Sequence, residues 1–279
     1  MKKIIAAFDG LRFSESTLRY SVFMAGKLKA HLVGVFLDDF TRHSYSVSEI
    51  TQYKGSFDAH LEELNRKDED IRNSAALQFE EACQEAGVHF SIHRDKNIAL
   101  QELLHESIYS DLMIINSRET FTRFDEPIPT RFIRDLLTDV MCPVLIVPGE
   151  YHEPQKSVLL YDGEPSSVYA VKMYSYMTES IMGFETEVLS VNPEEGSMHV
   201  PDNRLMKEFM KRHYPDAEYT VMKGRAEDSI IKHLEVQEKG CVVILGAYRR
   251  GRLSRIFRPS MADLLMKHIQ APLFIAHNR

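Results

Sequence analysis

An apolar run of strand length ending in Asp-Gly occurs twice in this sequence, as Ile4-Ile5-Ala6-Ala7-Phe8-Asp9-Gly10 and as Val158-Leu159-Leu160-Tyr161-Asp162-Gly163. The echo continues in order. Leu112-Met113-Ile114-Ile115-Asn116-Ser117 is answered by Val242-Val243-Ile244-Leu245-Gly246-Ala247, and Pro143-Val144-Leu145-Ile146-Val147 by Pro272-Leu273-Phe274-Ile275-Ala276. A short unbroken apolar run needs cover on both faces, which a parallel sheet with helices on either side provides. Ordered recurrence of such runs predicts a tandem of two similar domains, so function is to be sought at equivalent positions in both.

The segments between the runs fit that plan. Ser14 to Lys29 carries Leu18, Val22, Ala25 and Leu28 at helical spacing behind a capping serine. Further strands are predicted at Leu32 to Leu37 and Val88 to His93, and in the second half at Glu187 to Val191 and Glu218 to Val221. Helices are predicted at Ser166 to Met182, Pro201 to His213, Ala226 to Glu238 and Ser260 to His268. The reading is α/β, with two tandem doubly wound five-stranded parallel-sheet domains over residues 1–149 and 155–279. The first is longer by an insert around residues 38–72, polar and aromatic at Tyr45, Tyr53 and Phe57, then strongly charged from Glu62 to Arg72. It reads as a loop feeding a long amphipathic helix, either a solvated flap or a working surface.

Composition excludes several classes. A formal net charge of -7 gives no electrostatic reason to expect nucleic acid or an anionic membrane as partner. The apolar run after Met1-Lys2-Lys3 stops at Asp9, too short for a secretory signal core, and no stretch approaches membrane-spanning length. Cys83, Cys142 and Cys241 form no CxxC pair and read as reduced, buried thiols of a cytoplasmic protein. No HExxH, nucleophile elbow, phosphate-loop lysine or GxGxxG fingerprint is present. His89 and His93 share a predicted strand and carry no metal pattern.

In a doubly wound sheet, ligands bind at the carboxyl ends of the strands. Asp9 and Asp162 stand there. Each could accept hydrogen bonds from a ribose hydroxyl or an adenine amino group, or could simply make a turn and cap the next helix. The second candidate is the segment from Gly246 through Arg249 and Gly251 to Ser260, where a helix begins. A helix amino terminus offers unpaired N–H groups and partial positive charge to a phosphate, and arginines nearby could reach a triphosphate.

On these residues the chain resembles the universal stress protein family in its tandem form. The resemblance rests on the strand-end Asp9 and Asp162, the strand ending in Gly246, Leu253-Ser254-Arg255 before Ser260, and the last strands after Cys142-Pro143 and Ala271-Pro272. It implies strand order 3-2-1-4-5 in each domain and a pseudo-dimer in which Val144 to Val147 pairs with Leu273 to Ala276. The ATP-binding branch of that family carries Gly, two residues, Gly, nine residues, then Gly and Ser or Thr. Here the second half offers Gly246, Arg249, Pro259 and Ser260 at those positions, with Gly251 as a partial replacement for the second glycine. The first half offers Asn116, Glu119, Pro129 and Thr130, without glycine, and Glu119, Asp125 and Glu126 would repel phosphate at the mouth. The prolines before Thr130 and Ser260 read as stiffened helix entries.

The resemblance therefore implies a cytoplasmic, non-catalytic stress-response protein, with at most weak ATP hydrolysis. Its ligand would be an adenine nucleotide, ATP or AMP with magnesium, in the second domain at Asp162, Gly246, Arg249, Gly251 and Ser260. Asp9, Asn116 and Thr130 would mark a degenerate first site. A protein partner and further homodimerisation are compatible with this reading. The alternative is a nucleotide-independent scaffold in which both sites have degenerated.

Overall fold

The computed structural model describes residues 2–37, 43–45, 57–95, 98–178, 183–237, 240–246 and 260–277. In the first half the elements run β1 (Lys3–Phe8), α1 (Glu15–Leu28), β2 (His31–Leu37), α2 (Phe57–Glu85), β3 (Phe90–Asp95), α3 (Ala99–Ile108), β4 (Leu112–Asn116), α4 (Arg131–Asp139) and β5 (Val144–Val147). The second half gives β6 (Lys156–Leu160), α5 (Pro165–Thr178), β7 (Glu185–Asn192), α6 (Asn203–His213), β8 (Glu218–Lys223), α7 (Ala226–Val236), β9 (Cys241–Gly246), α8 (Met261–His268) and β10 (Leu273–Ala276).

The apolar runs form the centre of one ten-stranded sheet, ordered β3-β2-β1-β4-β5-β10-β9-β6-β7-β8. Each half has the order 3-2-1-4-5, and strands within a half pair in parallel. The halves meet at β5 and β10. These pair antiparallel, with Leu145 opposite Phe274 and flanking pairs Val144–Ile275 and Ile146–Leu273. Two strand edges that would otherwise template aggregation are thereby closed on each other.

Alternation along each strand divides the core between the two faces. Ile4, Ala6 and Phe8 of β1 face a cluster built from α1, α2, α5 and α6. Ile5 and Ala7 face the other, built from α3, α4, α7 and α8. Phe8 stacks on Phe36 at 5.1 Å between ring centroids and meets Phe79 of α2 edge-on at 5.6 Å. Gly34 makes room for that ring, since a Cβ there would stand 2.9 Å from Phe79.

Several boundaries differ from those read in the sequence. β3 begins at Phe90, so His89 stands one residue before the strand that carries His93. α6 begins at Asn203, and the expected end of α5 at Met182 lies outside the described residues. The insert's charged part is the outer portion of the 29-residue helix α2. Tyr45 is buried, its hydroxyl donating to Asn65 of that helix at 2.6 Å, whereas Tyr53 lies outside the described residues.

Candidate functional site

At the carboxyl end of β1 the chain turns on Asp9, which is buried. Its Oδ1 accepts the N–H of Leu11 at 3.0 Å. Ser14 caps α1, accepting the N–H of Thr17 at 3.1 Å. Asn116 ends the neighbouring β4 and donates its side-chain amide to Ser14 Oγ at 3.1 Å and to the Pro148 carbonyl at 3.3 Å. Thr130 caps α4, accepting the N–H of Ile133 at 3.2 Å and donating to the Glu119 carbonyl at 2.6 Å. Asp9, Asn116 and Thr130 are thus each engaged by the fold itself.

The loop between β4 and α4 closes this end of the first half. Glu119 does not stand at the mouth as the sequence suggests. It is buried, and its Oε1 accepts the N–H groups of Thr120 at 3.0 Å and Phe121 at 2.9 Å. Phe121, at φ 48°, packs its buried ring 4.6 Å from Phe132. Glu126 accepts the N–H of Arg131 at 2.6 Å, so a carboxylate of the chain itself already sits at the start of α4. Asp125 does lie outside, bound to Arg12 at 2.6 Å, and this hydrogen bond holds its carboxyl below its usual range. Arg12–Asp125 joins the β1–α1 turn to the β4–α4 loop. Pro129 stands one residue outside the cap Thr130, so it stiffens the approach to the helix and not its first turn.

The second half is built differently at the same place. Five residues separate Asp9 from Glu15, but only two separate Asp162 from Pro165. The shorter turn brings the first turn of α5 down onto the strand ends. A Cβ on Gly246 would stand 2.3 Å from the Ser166 carbonyl oxygen, so only glycine fits at the end of β9. Gly246 therefore has a packing reason that needs no phosphate. Asp162 is exposed and its Oδ1 accepts from Glu164 N–H at 3.0 Å and from Ser167 Oγ at 2.6 Å, a cap on α5.

Ser260 caps α8 in a reciprocal arrangement that a Ser-x-x-Asp spacing signals in sequence. Its Oγ accepts the N–H of Asp263 at 3.1 Å, and the Asp263 carboxylate accepts the N–H of Ser260 at 3.2 Å. Like Glu126 in the first half, Asp263 puts negative charge where a phosphate would go. Arg249, Gly251 and Pro259 lie outside the described residues.

Among the described residues, an opening lies at this end of the second half. A pocket of about 120 Å³ is lined by Leu160, Leu189, Val191, Ile230 and Met261, with Asp162 and Gly246 on its rim. That is smaller than the roughly 300 Å³ at which drug-sized sites begin, and suits one flat ring better than a whole nucleotide. No cluster of metal-ligating side chains occurs among the described residues, and none of their helices is long and apolar enough to cross a membrane.

A universal stress protein from Archaeoglobus fulgidus DSM 4304 superposes over 99% of this chain and 98% of its own, with TM-score 0.68 and 17% identity. The chain has the tandem universal stress protein fold. A protein of unknown function from Pseudomonas aeruginosa PAO1 shares it, at TM-score 0.58 and 13% identity over 99% of this chain and 92% of its own. The same universal stress fold extends to the cytoplasmic domain of a prokaryotic cation chloride cotransporter, at TM-score 0.55 and 12% identity over 99% of this chain and 95% of that domain. No family model matches the sequence, and no curated protein does.

Proposed function

We propose that this chain is a cytoplasmic, non-catalytic universal stress protein. Its domains, residues 1–149 and 155–279, have diverged in role: the first is a closed structural half and the second the ligand-binding half. The observation that carries this reading is an asymmetry. Among the described residues, Glu119, Phe121 and the Arg12–Asp125 bridge hold the loop over the first strand-end site, while an apolar pocket lies beside Asp162 in the second. An adenine ring would enter that pocket with its amino or ribose donors toward Asp162. The phosphates of ATP or AMP, with magnesium, would extend toward Arg249, Gly251 and Ser260.

A second reading is favoured by Asp263. Its carboxylate occupies the start of α8, which suits a nucleotide-independent scaffold that binds a protein partner.

Thermal-shift titration with ATP, AMP and adenosine, with and without magnesium, separates the two, because a ligand bound only by the folded state raises Tm as RT ln(1 + [L]/Kd). The first reading expects a shift lost in Asp162→Ala and kept in Arg12→Gln, each measured against its own ligand-free Tm. No shift at millimolar concentration rejects it in favour of the scaffold.

A further inference from the structure

Another opening of the second half lies at the other end of its sheet. A cavity of about 430 Å³ opens at the amino ends of β6, β7 and β8, one strand length from the Asp162 pocket. At about 3.3 Å per residue, the five residues of β6 put the two roughly 13 Å apart. Its volume falls within the range of small-molecule sites.

The lining has a definite chemistry. Tyr174, Phe184 and Tyr214 supply aromatic wall, while Glu185, Asp216 and Glu218 stand around the opening, all three exposed. Among the described residues, none of these carboxylates pairs with a lysine or arginine. Lys156, the lysine of the lining, is committed elsewhere: its Nζ lies 2.7 Å from Glu187 and 3.0 Å from Gln237. His213 packs against the Phe209 ring at 4.4 Å.

A hydroxyl of the lining also suits a hydrogen-bond donor. The buried Thr178 hydroxyl donates to the Tyr174 carbonyl at 2.8 Å, which leaves it to accept from the Tyr214 hydroxyl at 3.1 Å. Tyr214 thus has its proton engaged and its lone pairs available to a donor. Burial pushes the Tyr214 phenol up to about 12, so it stays neutral. Aromatic faces add attraction for an ammonium group.

We infer that this cavity is a second ligand site, for a small organic ammonium ion with an apolar body. The ammonium group meets Glu185, Glu218 and the Tyr214 oxygen, and the body lies along Phe184. The site is independent of the nucleotide reading, shares no residue with it, and stands or falls separately.

The test is isothermal titration calorimetry of the full chain with phenethylamine at neutral pH, with 3-phenylpropionate as the anion of matching shape. Phenethylamine is expected to bind at one site and the anion at least about tenfold more weakly. Glu185→Gln with Glu218→Gln, both exposed and so compatible with folding, is expected to weaken the amine about tenfold, while Asp162→Ala leaves it unchanged. Absence of amine binding at millimolar concentration overturns the inference. So does equal binding of the anion, or an affinity untouched by the double substitution.

Discussion

Glu106 and His233 stand at the same place in the two halves, each the eighth residue of its helix counted from Ala99 and from Ala226, and they play opposite parts. Glu106 accepts from Lys3 Nζ at 2.9 Å and pairs with His93 Nδ1 at 2.6 Å. His233 instead faces a carboxylate on the sheet, Glu187, at 3.0 Å, and Glu187 also takes Lys156 Nζ at 2.7 Å. Lys3 and Lys156 each open the first strand of their half. In both halves, then, a lysine–glutamate–histidine cluster pins the start of the central strand to the helix above it, with carboxylate and imidazole exchanged between helix and sheet.

That clamp predicts acid sensitivity. Burial works to raise both glutamates, but hydrogen bonds from Lys3 and His93 to Glu106, and from Lys156 and Thr220 to Glu187, outweigh it and hold them below the ordinary value of 4.5. A carboxylate depressed on folding contributes stability that is present above its unfolded pKa and lost as pH falls through its folded one. The urea midpoint is therefore expected to fall as pH drops below 4.5. Glu106→Gln with Glu187→Gln should start less stable near neutral pH and lose less on acidification. An acid limb as steep as that of the parent protein would show that the two clusters do not contribute.

Gly246→Ala tests the close approach of α5. The added methyl would collide with backbone at Ser166, which cannot rotate away as a side-chain end can. Overpacking of this kind costs about 1–3 kcal/mol, and here the upper end is expected. Gly87→Ala is the contrasting control for space, since nothing lies within 4 Å of its Cβ position, although its φ of 63° adds local strain. Chemical denaturation of the two variants gives the comparison.

The sheet was legible because its strands are unbroken apolar runs, and Val144–Val147 and Leu273–Ala276 are buried along their whole length. The repeat of Asp-Gly marked equivalent strand ends. The packing reason for Gly246 was harder to see, since it arises where α5 meets β9, far apart in sequence. The spacing from Asp162 to Pro165, shorter than from Asp9 to Glu15, was the available signal. The reciprocal cap is readable in the three-residue spacing from Ser260 to Asp263. The inward turn of Glu119 had no local signal, because it depends on Phe121 adopting a positive φ to bury its ring.

Arg12→Gln is expected to loosen the first half's closure without unfolding it. The Arg12–Asp125 bridge is solvent-exposed, so Tm should barely move. Amide exchange should accelerate across Thr120 to Asp125, where the loop loses its tie to the β1–α1 turn. Exchange rates unchanged in that segment would mean that Phe121 and Glu119 hold the loop by themselves.

The junction of β5 and β10 makes the strongest demand on the proposed domain boundary. If residues 1–149 form a domain, the fragment should fold, because its strands pair with each other and of their edges only that of β5 loses a partner. That edge is apolar on both faces and normally covered by β10, with Leu145 opposite Phe274. An exposed edge of this kind seeks a partner. A second copy can supply one by the antiparallel pairing that β10 supplies in the whole chain, giving a symmetric dimer. Sedimentation equilibrium of the fragment should therefore report a dimer at micromolar concentration, while the full chain, with the edge already covered, gains no association through β5. A folded fragment that stays monomeric would show that the edge alone does not hold the halves together and that side-chain packing across the junction does.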